Sequence, residues 1–112
     1  MKVRFTADSP YERARGLMYS KPLSDDEIAV FKFETDTRAG FWNKNVSYPI
    51  RIAFYDKNFN LVGLQKLEAG TRDLVSGLKP YVYAVEMSET DSDPNKLIVI
   101  KNYLVEKYGN KL

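Results

Sequence analysis

A chain of 112 residues has room for one core and not for two lobes with a cleft between them. Its 17 Lys and Arg against 15 Asp and Glu leave a net charge of +2, too weak and too interspersed to recruit nucleic acid or an anionic membrane. Neither Cys nor His is present, which excludes a disulfide, a thiolate nucleophile, a zinc site on those ligands, a Ser-His-Asp triad and an imidazole switch.

Val3 and Phe5 alternate with Lys2, Arg4 and Thr6, the period of a short amphipathic strand. Ser9-Pro10-Tyr11-Glu12 then carries a capping box with Pro at the first helical position, and Gly16 stops the helix early. Ile28 to Phe33 reads as a strand with Phe31 and Phe33 on one side and Val30 and Lys32 on the other. Phe41 to Val46 and Ile50 to Tyr55 read as two more, separated at Pro49. Asp56 to Asn60 has turn composition and Leu61 to Leu67 returns, so residues 50–67 are expected to form an antiparallel hairpin.

Residues 68–80, with two Gly and a Pro, suit a loop, and Tyr81 to Met87 is apolar on nearly both faces, as a central strand is. Asp93 and Pro94 place a helix start ahead of Leu97, Ile100, Leu104 and Tyr108, which recur at helical spacing up to Gly109. The expectation is a single α+β domain over residues 1–112. It has a mostly antiparallel sheet of about six strands curled toward a barrel, a short N-terminal helix and an amphipathic C-terminal helix over 94–108.

The longest aliphatic run, Leu97 to Ile100, is far below the ~20 residues that span a bilayer, and Met1 to Phe5 lacks the apolar stretch of a signal peptide. The chain as it stands is therefore expected to be soluble and cytoplasmic, and exported or anchored only if a leader has been removed. No membrane, nucleic acid or cofactor is indicated, and the sequence identifies no protein partner.

One segment stands apart. Phe41-Trp42-Asn43-Lys44-Asn45-Val46 places two amides and an ammonium inside a reading that is otherwise apolar, and each such group left unpaired in an interior costs ~1–3 kcal/mol. As a strand it sets Asn43 and Asn45 on one face and Trp42 and Lys44 on the other, with Lys44 able to lie on the indole. The plainer alternative makes Trp42 a core residue and the Asn side chains ties between loops. Glu86, flanked by Val85 and Met87, needs a basic partner, for which Lys44 and Arg51 are the candidates, or a raised pKa. Arg13 and Arg15 read as solvated helix charges or, more sharply, as bidentate anchors to a loop carboxylate or carbonyl.

Asp25-Asp26-Glu27 and Glu89, Asp91 and Asp93 lack the Gly-centred spacing of a calcium loop, and the glycines form no phosphate-binding motif, so neither a metal nor a nucleotide is expected.

Three blocks, Glu12-Arg13-Ala14-Arg15-Gly16-Leu17-Met18, Phe41-Trp42-Asn43-Lys44-Asn45 with Pro49-Ile50, and Tyr83-Ala84-Val85-Glu86, resemble in order and spacing the uncharacterised bacterial and archaeal family called domain of unknown function 192. The resemblance covers residues 3 to about 88. Asn43, Val46 and Arg51 stand where the family pattern has Met, Thr and an acid, and Arg51 in particular would repel Lys44 unless Glu86 or a bound anion intervenes. The resemblance implies a compact β-rich domain capped by helix, and no reaction. The function expected is a non-catalytic module that binds a small polar or anionic ligand through Trp42, Asn43, Lys44, Asn45, Arg51 and Glu86. The alternatives are a hydrolase or lyase using Lys44 and Glu86, and a structural or protein-interaction module.

Overall fold

The computed structural model describes residues 1–109. Its elements are β1 (Lys2–Ala7), α1 (Pro10–Arg15), β2 (Glu27–Thr37), β3 (Ile50–Tyr55), β4 (Leu61–Leu67), β5 (Tyr81–Ser88) and α2 (Lys96–Tyr108). The strands form one five-stranded sheet in the order β1-β2-β5-β3-β4. β1 runs parallel to β2, which requires a crossover, and α1 with residues 16–26 supplies it. The other three pairings are antiparallel. The class is α+β as expected, but the sheet is mixed, open and five-stranded where a near-barrel of about six strands was anticipated.

The missing strand is Phe41–Val46. Only Phe41 pairs, through a bridge to Val75 whose two hydrogen bonds measure 2.8 and 2.9 Å. Beyond it the chain turns: Val46 N donates to Asn43 O at 3.0 Å, and Asn45 takes a φ of 60°. Asn tolerates that left-handed conformation better than most residues, so the composition that made a polar strand odd is the composition of a turn.

The hairpin of β3 and β4 forms as expected, its turn closed by Asp56, whose Oδ1 accepts from Asn58 N and Asn60 N at 2.9 Å each. β5 is central, hydrogen-bonded to β2 and β3, and is buried from Tyr81 to Met87. α2 starts two residues later than Pro94 because Asp93 closes a turn first, accepting from Asn95 N at 2.9 Å on its side chain and from Lys96 N on its carbonyl.

Alternation along the strands sorts the interior into two layers. Ile28, Val30, Ala53, Tyr55, Val85 and Met87 meet Ile100 and Leu104 of α2, and the Tyr55 hydroxyl donates to Leu97 O at 3.0 Å. The opposite layer contains Ala29, Phe31, Ile50, Ile52, Phe54 and Ala84. Among the described residues no long helix covers it. Its lid is assembled from α1 and connecting segments that contribute Leu17, Leu23 and Val46, with Phe41 edge-on to Phe31 at 5.2 Å and Tyr81 against Phe54 at 4.7 Å. A face closed by one short helix and loops rather than by a long helix is the one that can leave a hollow.

Candidate functional site

Glu86 stands opposite Ala29 on β2 and Ile52 on β3, so its side chain rises from the centre of the sheet into the loop-covered layer. The residue is only 4% exposed, and among the described residues its carboxyl has neither a hydrogen bond nor an ion pair. Burial pushes its pKa up to about 8, because an ionised carboxylate without a partner is strongly penalised in apolar surroundings. At neutral pH the group is a carboxylic acid that can donate one hydrogen bond and accept others. The cavity it lines holds about 220 Å³ and is walled by Leu17, Phe31, Phe33 and Phe41.

α1 builds one side of that cavity. Ser9 Oγ accepts from Glu12 N at 3.2 Å and bonds the Glu12 carboxylate at 2.9 Å, fixing where the helix begins. Arg13 then reaches over the sheet: its Nη1 donates to Lys32 O at 2.8 Å while the guanidinium lies 4.5 Å from the Phe33 ring centre. Arg13 thus anchors to a carbonyl, but through one bond and on strand β2 rather than bidentately on a loop. Gly16, at φ 48°, turns the chain down against Phe31, where an added Cβ would meet the ring at 3.4 Å. Arg15 stays exposed at the cavity edge.

Residues 39–46 build the other side. The Tyr81 hydroxyl donates to Ala39 O and holds the approach. Trp42 is 41% exposed, so it is no core residue, and Lys44 Nζ lies 5.5 Å from its ring centre, the stacking anticipated for this pair. Asn43 is buried and serves as a tie: its amide donates to Tyr48 O at 2.8 Å and Glu68 O at 3.1 Å, and its backbone N donates to Thr71 O at 2.9 Å.

The six candidate residues therefore divide. Trp42, Asn43, Lys44 and Glu86 line one cavity. Asn45 lines an adjoining open groove instead, together with Lys21, Lys44 and Arg72. Arg51 is on the wrong side of the sheet. It pairs with Met87, shares the α2 layer, and lies near enough to Asp91 to favour that carboxylate's charge. It cannot partner Glu86, and its expected conflict with Lys44 does not arise. No hydrogen bond or ion pair joins Lys44 to Glu86 either. Arg13 and Phe33 were absent from the expected pocket; the signal for Arg13 was the Glu12–Met18 block, whose turn forms the facing wall, while Phe33 comes from β2. Among the described residues no group of three or more acids gathers to hold a metal ion.

A family model described as DUF192, an uncharacterized ACR, matches residues 1–97. The chain belongs to DUF192. The match reaches past the three sequence blocks to the start of α2. Two solved structures share the fold of this DUF192 chain. A protein of unknown function from Novosphingobium aromaticivorans matches with a TM-score of 0.73 at 21% identity, over 97% of this chain and 70% of that one. A protein from Sinorhizobium meliloti described as a candidate transcription regulator matches with a TM-score of 0.71 at 22% identity, over 77% of this chain and 67% of that one. Among curated proteins, none matches. No helix among the described residues is long and apolar enough to cross a membrane.

Proposed function

We propose that this DUF192 domain is a non-catalytic module that binds one small polar or anionic ligand in the cavity between α1 and residues 39–46. The observation that carries this reading is Glu86: a buried, unpaired acid that lines a cavity with otherwise largely apolar walls. A scaffold gains nothing from desolvating a carboxyl without a partner, whereas a binding site uses a few polar groups in an apolar wall to fix a ligand's orientation. The cavity, at about 220 Å³, is smaller than the ~300–1,000 Å³ of sites for drug-sized molecules, which limits the ligand to a small metabolite.

Trp42 at the cavity edge reports occupancy. Titration with small sugars, carboxylates and phosphates is expected to change its fluorescence for at least one of them, and Glu86→Leu is expected to abolish the response while the fold persists. A Trp42 signal indifferent to every compound, with Glu86→Leu merely more stable than the parent, would remove the reading.

One observation favours a second reading, a hydrolase or lyase: Lys44 and Glu86 line the same cavity. Binding is preferred because amine catalysis needs its acid or base within about 3 Å or one shared water, and Lys44 instead lies over Trp42.

A further inference from the structure

Beside the Glu86 cavity runs an open groove whose lining includes Lys21, Lys44 and Arg72 and no Asp or Glu. None of these three cations forms an ion pair among the described residues. Glu68, the acid nearest in sequence to the groove's Gly70 edge, is taken up by Lys66 at 3.3 Å. The near-neutral chain has thus gathered unneutralised positive charge at one place.

The groove is also held in shape from below. Tyr19 N donates to Asn45 O at 3.3 Å and Gly70 N to Val46 O at 2.8 Å, joining its three segments. Arg4 donates to Lys21 O at 2.6 Å, and the Tyr48 hydroxyl to Ser20 O at 3.0 Å, so the backbone that carries Lys21 is fixed as well. Lys44 and Val46 line both the groove and the cavity, which makes the two spaces neighbours.

We infer that the ligand is a phosphate monoester of a small, largely apolar alcohol, its phosphate held in the groove by Lys21, Lys44 and Arg72 and its organic part in the cavity beside Glu86. This rests on the cavity being a ligand site and adds the ligand's chemical class. Charge decides between anions. A carboxylate is satisfied by one or two cations, whereas a phosphate monoester is close to a dianion at neutral pH and presents three acceptor oxygens, matching three cations without an ion pair, of which Lys44 would turn from the Trp42 ring to the phosphate. The aromatic wall accepts a ring or short chain, and the neutral Glu86 acid donates to an oxygen on it.

The test uses the full chain and four probes: phenyl phosphate, benzoate, phenol and inorganic phosphate. Binding is read at the Trp42 indole and the Gly70 amide by two-dimensional NMR. Phenyl phosphate is expected to shift both signals and to bind at least about tenfold more tightly than any other probe, the difference that ~1.4 kcal/mol makes. Lys21→Gln/Arg72→Gln, both exposed positions, is expected to erase that advantage and leave phenol unchanged. Equal affinity for phenyl phosphate, benzoate and phenol, or no effect of the double variant, overturns the phosphate assignment while the cavity reading stands. Inorganic phosphate binding as tightly as phenyl phosphate overturns the spanning ligand. Silence from Trp42 and Gly70 with all four removes the ligand site and the inference together.

Discussion

Arg51 and Glu86 lie on neighbouring strands and point to opposite sides of the sheet, since Arg51 pairs with Met87 and Glu86 with Ile52. A single position of register separates a residue beside the cavity from one beneath α2. Arg51→Ala should therefore leave the Trp42 response to ligand intact. It should lower the urea midpoint only slightly, by less than about 1 kcal/mol of stability, as expected for a half-buried cation acting on Asp91 from a distance. Loss of ligand response in Arg51→Ala, with the fold retained, would contradict this placement.

The buried acid ties stability to pH. Glu86 titrates at an ordinary 4.5 when unfolded and near 8 when folded, so the native state keeps the extra proton between those values and stability falls as pH rises through that window, by at most ~1.4 kcal/mol per unit. The charged groups that share its cavity are Arg13, Arg15 and Lys44, and the Tyr48 hydroxyl is raised in turn by the Glu86 charge after its own burial. None of these is within hydrogen-bonding reach of it. Urea unfolding at half-unit steps from pH 5 to 8 should show this decline in the parent and a nearly flat profile in Glu86→Gln. Parallel profiles for the two proteins would show that Glu86 is ionised in the native state.

Most of the framework was legible because it depends on local rules. The Ser9–Glu12 capping box, the 50–67 hairpin and the apolar period of β5 each have one solution, and the chain adopts it. The strand read into Phe41–Val46 failed because alternation over six residues cannot be told from a turn that happens to begin with two aromatics; Asn43 and Asn45 were the turn signal. The parallel pairing of β1 with β2 is a long-range choice that no local period reports. Glu86 stood out from composition alone, since an acid between Val85 and Met87 must be paired or neutral. Its missing partner, the far side taken by Arg51, and the groove that gathers Lys21 with Arg72 follow only from register and loop packing, which join residues up to 51 positions apart.

Asn43 is the strut of the cavity's outer wall, and its removal should be costly. Asn43→Ala takes the donor away from Tyr48 O and Glu68 O at once, leaving two partly buried carbonyls to find water, for a loss of about 2–3 kcal/mol. The turn it begins should loosen with it. Amide hydrogen exchange is expected to accelerate at Val46 and Gly70, whose bonds close that turn and the next, while amides of β5 slow or quicken only in proportion to global stability. Uniform acceleration throughout the sheet would mean that the loop carries no local stability of its own.

The start of α2 is fixed by an ion pair with little access to water: Lys96 Nζ lies 2.7 Å from Asp91 Oδ2, with side chains 7% and 5% exposed, and also donates to Asp25 O at 2.7 Å. Burial is the largest single influence on Asp91 and would raise its pKa, but the hydrogen bond and charge of Lys96, the Asp93 N–H and the Arg51 charge together outweigh it and hold the carboxyl below its ordinary value. A lowered pKa means that the pair's contribution is present above the unfolded value of 3.8 and is lost as pH falls through and below it. Breaking the pair from one side strands a charge, so Lys96→Met should cost about 3–5 kcal/mol near neutrality. Asp91→Leu/Lys96→Met removes both charges and should recover part of that loss, because the bonds of Asp25 O with Lys96 and of Asp93 N with Asp91 Oδ1 remain unreplaced. Urea midpoints for the parent, both single variants and the double variant complete the cycle. If the double variant is as unstable as the sum of the singles, the two groups act independently and the geometry is incidental.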